Sequence, residues 1–256
     1  MSTPIRPGTD SGASYTPDAA MPPKPEKSSL FEDFIDIFYA PSTVFARRAD
    51  SSFWGPLLVV SLLTAVFAFV NRDVASAIFD AEYARGVAAA QAKNPQITAE
   101  QMASMRGVQE KMMGFFMYVG TPLFIFIVSL LAWLSAKMVG AKVTYGQAVL
   151  IMAFAWVPRV VQGLVNTVQK LLLDTTNITS MHSFGFSPAR FMDPDSGPKA
   201  LVALAGRFDL FTIWLTILAG IGIAVIGKVP RTKGYIAAAI LFVLGSLFTV
   251  VPALFG

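Results

Sequence analysis

Arg207–Lys233 reads RFDLFTIWLTILAGIGIAVIGKVPRTK. Between Asp209 and Lys228 it holds eighteen residues without a charge. As a helix rising 1.5 Å per residue these reach about 27 Å, close to the thickness of a bilayer's hydrocarbon core. Lys228, Arg231 and Lys233 follow with no acid among them. By the positive-inside rule such a cluster marks a cytoplasmic end. Gly220, Gly222 and Ala224 put small residues at the centre of the run. Gly220 and Ala224 have the spacing that lets a second helix approach closely.

The pattern recurs along the chain. Apolar runs predict spans at about 53–70, 113–136, 143–165, 210–227 and 235–255. The composition is 54% hydrophobic and 14% charged, against about 25% charged in a soluble domain. The expected fold is all-α, a polytopic bundle of five transmembrane helices with the lipid bilayer as its main solvent. The net charge of +4 sits at the ends of apolar runs. It therefore reads as topology anchoring and not as a nucleic-acid surface. The chain has no cysteine and one histidine, His182, which excludes thiolate sites and leaves little for imidazole metal clusters. There is no HExxH, GxSxG or Walker motif. No catalytic residue, cofactor or metal site is expected.

Residues 1–29 are proline-rich and predict a disordered cytoplasmic tail. Residues 30–50 predict amphipathic or interfacial helices. Ser29 and Glu32 have capping-box spacing. Leu30, Phe31, Phe34, Ile35 and Phe38 fall on one side, and Glu32, Asp33 and Asp36 on the other. Pro41 ends this helix, and a second runs through Val44 and Phe45 to Arg47 and Arg48. The pair either lies in the membrane interface or packs beneath the bundle.

Residues 71–111 predict an extramembrane helical hairpin, broken at Asn94-Pro95 and recapped by Thr98 with Gln101. It is a candidate docking surface. Residues 174–207 form a second external loop, with an Asn177-Ile178-Thr179 sequon and His182 read as a surface residue. The acid-free loops 137–142 and 228–233, with Arg47 and Arg48, place the N-terminus inside and the C-terminus on the opposite side.

Span three carries the candidate functional stripe. Arg159, Gln162, Asn166 and Gln169 recur at helical steps and share one face. An arginine within a span is a functional candidate. Counted from Tyr145, Arg159 stands roughly 21 Å along the helix, beyond the midplane. It either snorkels or bonds to a neighbouring helix, or it lines a polar cavity. Asp209 is the candidate ion-pair partner. Pro122 predicts a kink in span two, and the helix of span three is expected to continue through Pro158.

Three stretches together resemble the Yip family (Ypt/Rab-interacting proteins) in its prokaryote-like form. They are FYAPSTVFARRADSSFWGPLLVVSLL from Phe38, VTYGQAVLIMAFAWVP from Val143, and LFTIWLTILAGIGIAVI from Leu210 with the basic residues after it. The resemblance spans roughly residues 35–250. It implies five spans, a cytoplasmic N-terminus, a role without known catalysis and, for this form, the inner membrane of a bacterium. Eukaryotic members are linked to Rab GTPases and vesicle traffic, and some bacterial relatives to ABC-type export systems. The tail lacks the longer cytoplasmic region of the eukaryotic members, which weighs against Rab binding. The resulting expectation is a non-catalytic adaptor or scaffold with a membrane-protein partner. The alternative is a transporter or channel for a small molecule or lipid, built on the Arg159 stripe.

Overall fold

The computed structural model describes residues 28–172, 178 and 180–255. The tail before Ser28 and the Asn and Thr of the sequon lie outside the described residues. The described residues form no strand. The helices are α1 (Leu30–Asp36), α2 (Pro41–Arg48), α3 (Trp54–Val70), α4 (Arg72–Lys93), α5 (Ala99–Met138), α6 (Tyr145–Ala155), α7 (Val157–Leu172), α8 (Lys199–Arg207), α9 (Leu210–Ile226) and α10 (Arg231–Phe255). α5, α6–α7 taken together, and α10 are each long and apolar enough to cross a membrane. Two bent pairs raise the number of spans to as many as five: α3–α4, bent by 73°, and α8–α9, bent by 53°. The protein is an all-α polytopic membrane protein.

Both bends sit where charge returns to the chain. α3 stops at Asn71, ahead of Arg72 and Asp73. Asn71 Nδ2 donates to Phe67 O in its own helix and, across to α7, to Thr167 Oγ1 at 2.9 Å and Gly163 O at 3.3 Å. At the other bend Asp209 is the N-cap of α9, its carboxylate accepting from the N–H groups of Phe211 and Thr212. Such a cap satisfies donors that the first turn of a helix leaves unpaired.

α6 is the centre of the bundle. Every residue from Ala148 to Ala155 is buried, among α3, α5 and α9. A helix that is apolar all round can be enclosed in this way because no polar side chain is stranded in the core. α9 and α10 cross at small residues. A Cβ on Gly220 would meet Ala238 Cβ at 2.9 Å, and one on Gly234 would meet Ala224 Cβ at 2.7 Å and run into Gly220 O. Gly222 points to the other side of α9, where a Cβ would meet Ile151 Cγ2 at 2.7 Å. On α10, Ala237 and Ala238 are buried and Ala239 is exposed.

α1 and α2 pack beneath one end of the bundle, α2 against α9 and Gln147 Nε2 donating to Ala49 O at 3.1 Å. The loops after α5 and α9 close the same end, joined by Lys142 N to Gly227 O. The acidic side of α1 differs from its sequence reading as a separate polar face. Asp33 is fully buried. It accepts from Arg47 Nε at 2.6 Å, from Arg48 Nε and from Ser28 Oγ at 2.7 Å, and Arg47 also reaches Asp36. The basic end of α2 folds back onto this face and neutralises it, while Phe31 is left exposed.

One further element differs from the sequence reading. The helix capped by Thr98 and Gln101 does not end before span two; α5 is one helix of 40 residues that runs through Pro122. Residues 111–114, Lys-Met-Met-Gly, contain no proline, and one interior glycine costs only about 1 kcal/mol, so the helix opened at the cap runs on. Span three has a single-residue turn at Trp156, the C-cap of α6, and α6 and α7 run on as one span of 28 residues, as the sequence predicts. Pro158 follows in the first turn of α7, where its missing N–H is tolerated.

Candidate functional site: a polar cavity at the end opposite α1 and α2

The stripe on α7 meets the bend between α8 and α9. Arg159 Nη1 donates to Gln162 Oε1 at 2.6 Å, and Nη2 donates to Thr212 Oγ1 at 2.7 Å. The Asp209 carboxylate lies 3.6 Å from Arg159 Nη1. Asp209 also accepts from Phe186 N at 2.9 Å, so a single buried carboxylate joins α9, the 180–198 segment and α7. Further along the stripe Gln169 Nε2 donates to Asn166 Oδ1 at 3.4 Å and to Phe184 O at 3.3 Å. Gln169 Oε1 accepts from Arg190 at 3.1 Å. Gln169 is thus covered by the 180–198 segment, while Asn166 lines a groove of about 250 Å³ between α3, α5 and α7. Arg159 and Gln162 face a cavity.

That cavity is about 700 Å³ and is walled by α4, α7, α8, the start of α9 and the 180–198 segment, with Thr249 of α10 at its edge. Among its lining side chains are four cations, Arg85, Arg159, Lys199 and Arg207, against two carboxylates, Glu82 and Asp209. Arg85 is held by Glu82 at 3.1 Å and Asp195 at 2.9 Å. Below the cavity the interior is the apolar, enclosed α6, so the polar space is closed toward the α1–α2 end.

His182, read from sequence as a surface residue, is half-buried in this wall. A Cβ on Gly206 would meet His182 Cε1 at 2.6 Å, so the ring rests on α8 where that helix has no side chain. Burial pushes its pKa below the usual histidine value; nearby Glu82 opposes the shift and Arg85 adds to it.

Sequence reasoning did not single out Arg207, Arg85, Arg190 or Thr212. Arg207 stands two residues before Asp209, at the head of the uncharged run of α9, and that closeness is the signal that could have flagged it. Arg85 and Arg190 are distant in sequence and carry no local sign of convergence. Gly220, Gly222 and Ala224 do not join the cavity; they pack α9 against α10 on one side and α6 on the other.

A Yip1 domain family model matches residues 35–251. Among characterised sequences, Membrane protein YknW of Bacillus subtilis (strain 168) is 28% identical over 231 residues, 88% of this chain and 90% of that protein. No solved structure matches. With its matched region running from α1 into α10, this chain is a member of the Yip1 domain family of membrane proteins.

Proposed function

We propose that the protein is a non-catalytic membrane adaptor of the Yip type that associates with another membrane complex, an ABC-type export system or trafficking machinery. The observation that carries this reading is the hairpin of α4 with the first turns of α5. It is zipped by Tyr83 Oη to Met102 O at 2.5 Å and by Arg106 to Asp80 at 2.6 Å. Met105, Val108 and Met112 are left exposed on it, on a segment of α5 that precedes the apolar run of the span. Apolar side chains in that position offer a second protein a contact that lipid does not already fill. The transport reading has less support, because the enclosed apolar α6 offers no polar route from Arg159 through the bundle.

The test is crosslinking in native membranes, gentle extraction by a C-terminal tag and identification of what is retained. The reading requires a membrane complex that is recovered with the intact protein and lost with Val108→Glu. Recovery of the protein alone from membranes of its source would end it. In this reading the N-terminus is cytoplasmic and the C-terminus lies on the opposite side of a bacterial inner membrane. Since the chain has no cysteine, Ser28→Cys and Ala253→Cys can each be labelled from one side of sealed vesicles without background. Labelling of both from the same side would overturn this topology.

A further inference from the structure

We propose that the cavity between α4, α7, α8 and α9 binds the phosphodiester headgroup of an anionic lipid, with Arg207 and Arg159 as its phosphate-binding groups. This site is separate from the hairpin's exposed face and does not depend on the adaptor reading.

The first argument is charge. Of the arginines on the cavity wall, Arg85 is paired with Glu82 and Asp195, and Arg159 with Asp209. The carboxylates are already engaged: Glu82 with Arg85, and Asp209 with the start of α9 and Arg159. Arg207 has no salt bridge among the described residues. Its Nε donates to Ser246 Oγ at 3.2 Å, and its guanidinium stacks 5.4 Å from the centre of the Phe242 ring. A guanidinium has five N–H donors in a planar fork suited to two phosphate oxygens. A partly buried cation without a carboxylate is unfavourable unless an anion reaches it.

The second argument is position. Arg207 closes α8, and Asp209 begins the uncharged α9. The cavity therefore lies at the level where the span leaves the hydrocarbon, the depth of lipid headgroups. Leu201 and Leu204 of α8, and Phe208 just after it, are exposed on the side of the helix away from the cavity-lining Val202, Ala203 and Gly206, so α8 turns an apolar face outward and its other face to the cavity.

The third argument is size and closure. About 700 Å³ far exceeds the roughly 30 Å³ that one water occupies in the liquid. It accommodates a phosphate with its glycerol and headgroup, whereas a bare phosphate would leave most of the space to water. The apolar floor at α6 makes the cavity a site of residence and not a passage.

The test uses the purified full chain in mild detergent, given equal amounts of dioleoylphosphatidylglycerol and dioleoylphosphatidylcholine and examined by native mass spectrometry. The expected result is one retained phosphatidylglycerol, preferred by roughly tenfold, as one to two surface cations would give. Arg207→Gln should bring the preference close to one, and Arg207→Lys, which keeps the charge but not the fork, should fall between. Arg231→Gln, a cation at the opposite end, should leave it unchanged. Phosphatidylglycerol should raise the Tm of the native chain and of Arg231→Gln but not that of Arg207→Gln. In phosphatidylcholine alone, Arg207→Gln should melt with the native chain, which separates lost binding from lost folding. Equal retention of the two lipids by the native chain, or the same loss in Arg231→Gln as in Arg207→Gln, would overturn the proposal. So would inorganic phosphate competing as well as the lipid, which would make the ligand a soluble anion.

Discussion

The guanidinium of Arg159 stands 3.6 Å from the Asp209 carboxylate, while its shorter bonds go to Gln162 and Thr212. Asp209 is thus first a helix cap and second a counter-charge. Asparagine caps about as well as aspartate. Asp209→Asn should therefore lower stability by about 1 kcal/mol, since it removes a charge from a partly exposed pair. Asp209→Ala also orphans the Phe186 N–H and the first turn of α9, and should cost roughly 2–4 kcal/mol. Thermal unfolding of both variants in one detergent checks the order; equal losses would make the ion pair the main term.

Asp33 binds the basic end of α2 more firmly than any exposed acid of α1. It is fully buried with two arginines on its oxygens. Removing one partner of a buried ion pair typically costs 3–5 kcal/mol. Asp33→Ala should therefore detach α1 and destabilise the protein by roughly 3 kcal/mol, discounted from the top of that range because Arg48 is partly exposed. Limited proteolysis near residues 37–40 together with the change in Tm measures this. An Asp33→Ala protein as stable as the native chain would remove the clamp from the account of the fold.

Gly234, at the crossing of α9 and α10, and Gly107, on α5, carry predictions of opposite sign. Gly234 leaves no room for a side chain beside Gly220 and Ala224. Gly234→Val should cost roughly 1–3 kcal/mol, the usual penalty of overpacking. Gly107, on α5, faces open space, and a Cβ there would meet nothing within 4 Å. Gly107→Ala should stabilise the helix by about 0.5–1 kcal/mol. A pair of melting curves decides, and a stabilising Gly234→Val would show that α9 and α10 are not held at this separation.

His182 gives a pH prediction with a definite sign. Its folded pKa is lowered, so between that value and the ordinary 6.5 the unfolded chain binds more proton than the folded one. Stability is therefore complete above about 6.5 and falls as pH drops through the window toward the folded value. The imidazole signal of the single histidine needs no assignment by mutagenesis. Its midpoint should lie below 6.5, and hydrogen exchange of residues 180–186 should rise in the same window. A midpoint above 6.5 would place the ring in solvent or beside a dominant carboxylate.

Much of the membrane architecture is legible because charge and apolarity are one-dimensional signals. Uncharged runs mark α9 and α10, and the Ser29–Glu32 and Thr98–Gln101 capping boxes depend only on residue type and spacing. The elements that were not legible depend on what meets what. Asp33 looks like any exposed helical acid until α2 folds back on it. The turn at Trp156 falls two residues before Pro158, whereas residues 111–114 hold no proline and the helix there continues with Lys111 and Met112 exposed. At the cavity, spacing identifies the Arg159 stripe because its members share a helix. Arg85 and Arg207 come from α4 and α8, and only tertiary structure brings them to the same wall.

The unbroken length of α5 has a mechanical consequence. Forty residues at 1.5 Å each make a rod of about 60 Å, roughly twice the hydrocarbon thickness. Its inner portion is gripped by the bundle, and its outer portion forms half of the hairpin. The rod is therefore a lever with its fulcrum at the membrane surface. A tilt of about 10° over the roughly 30 Å that project beyond the hydrocarbon moves the tip by about 5 Å. The same rotation bears on the opposite end, where Tyr145 bonds Phe126 O and Trp133 bonds Val143 O. A load applied to the hairpin on one face of the membrane is thus passed along one helix toward the loop on the other, with Pro122 the point on the way where the backbone ladder loses a hydrogen bond.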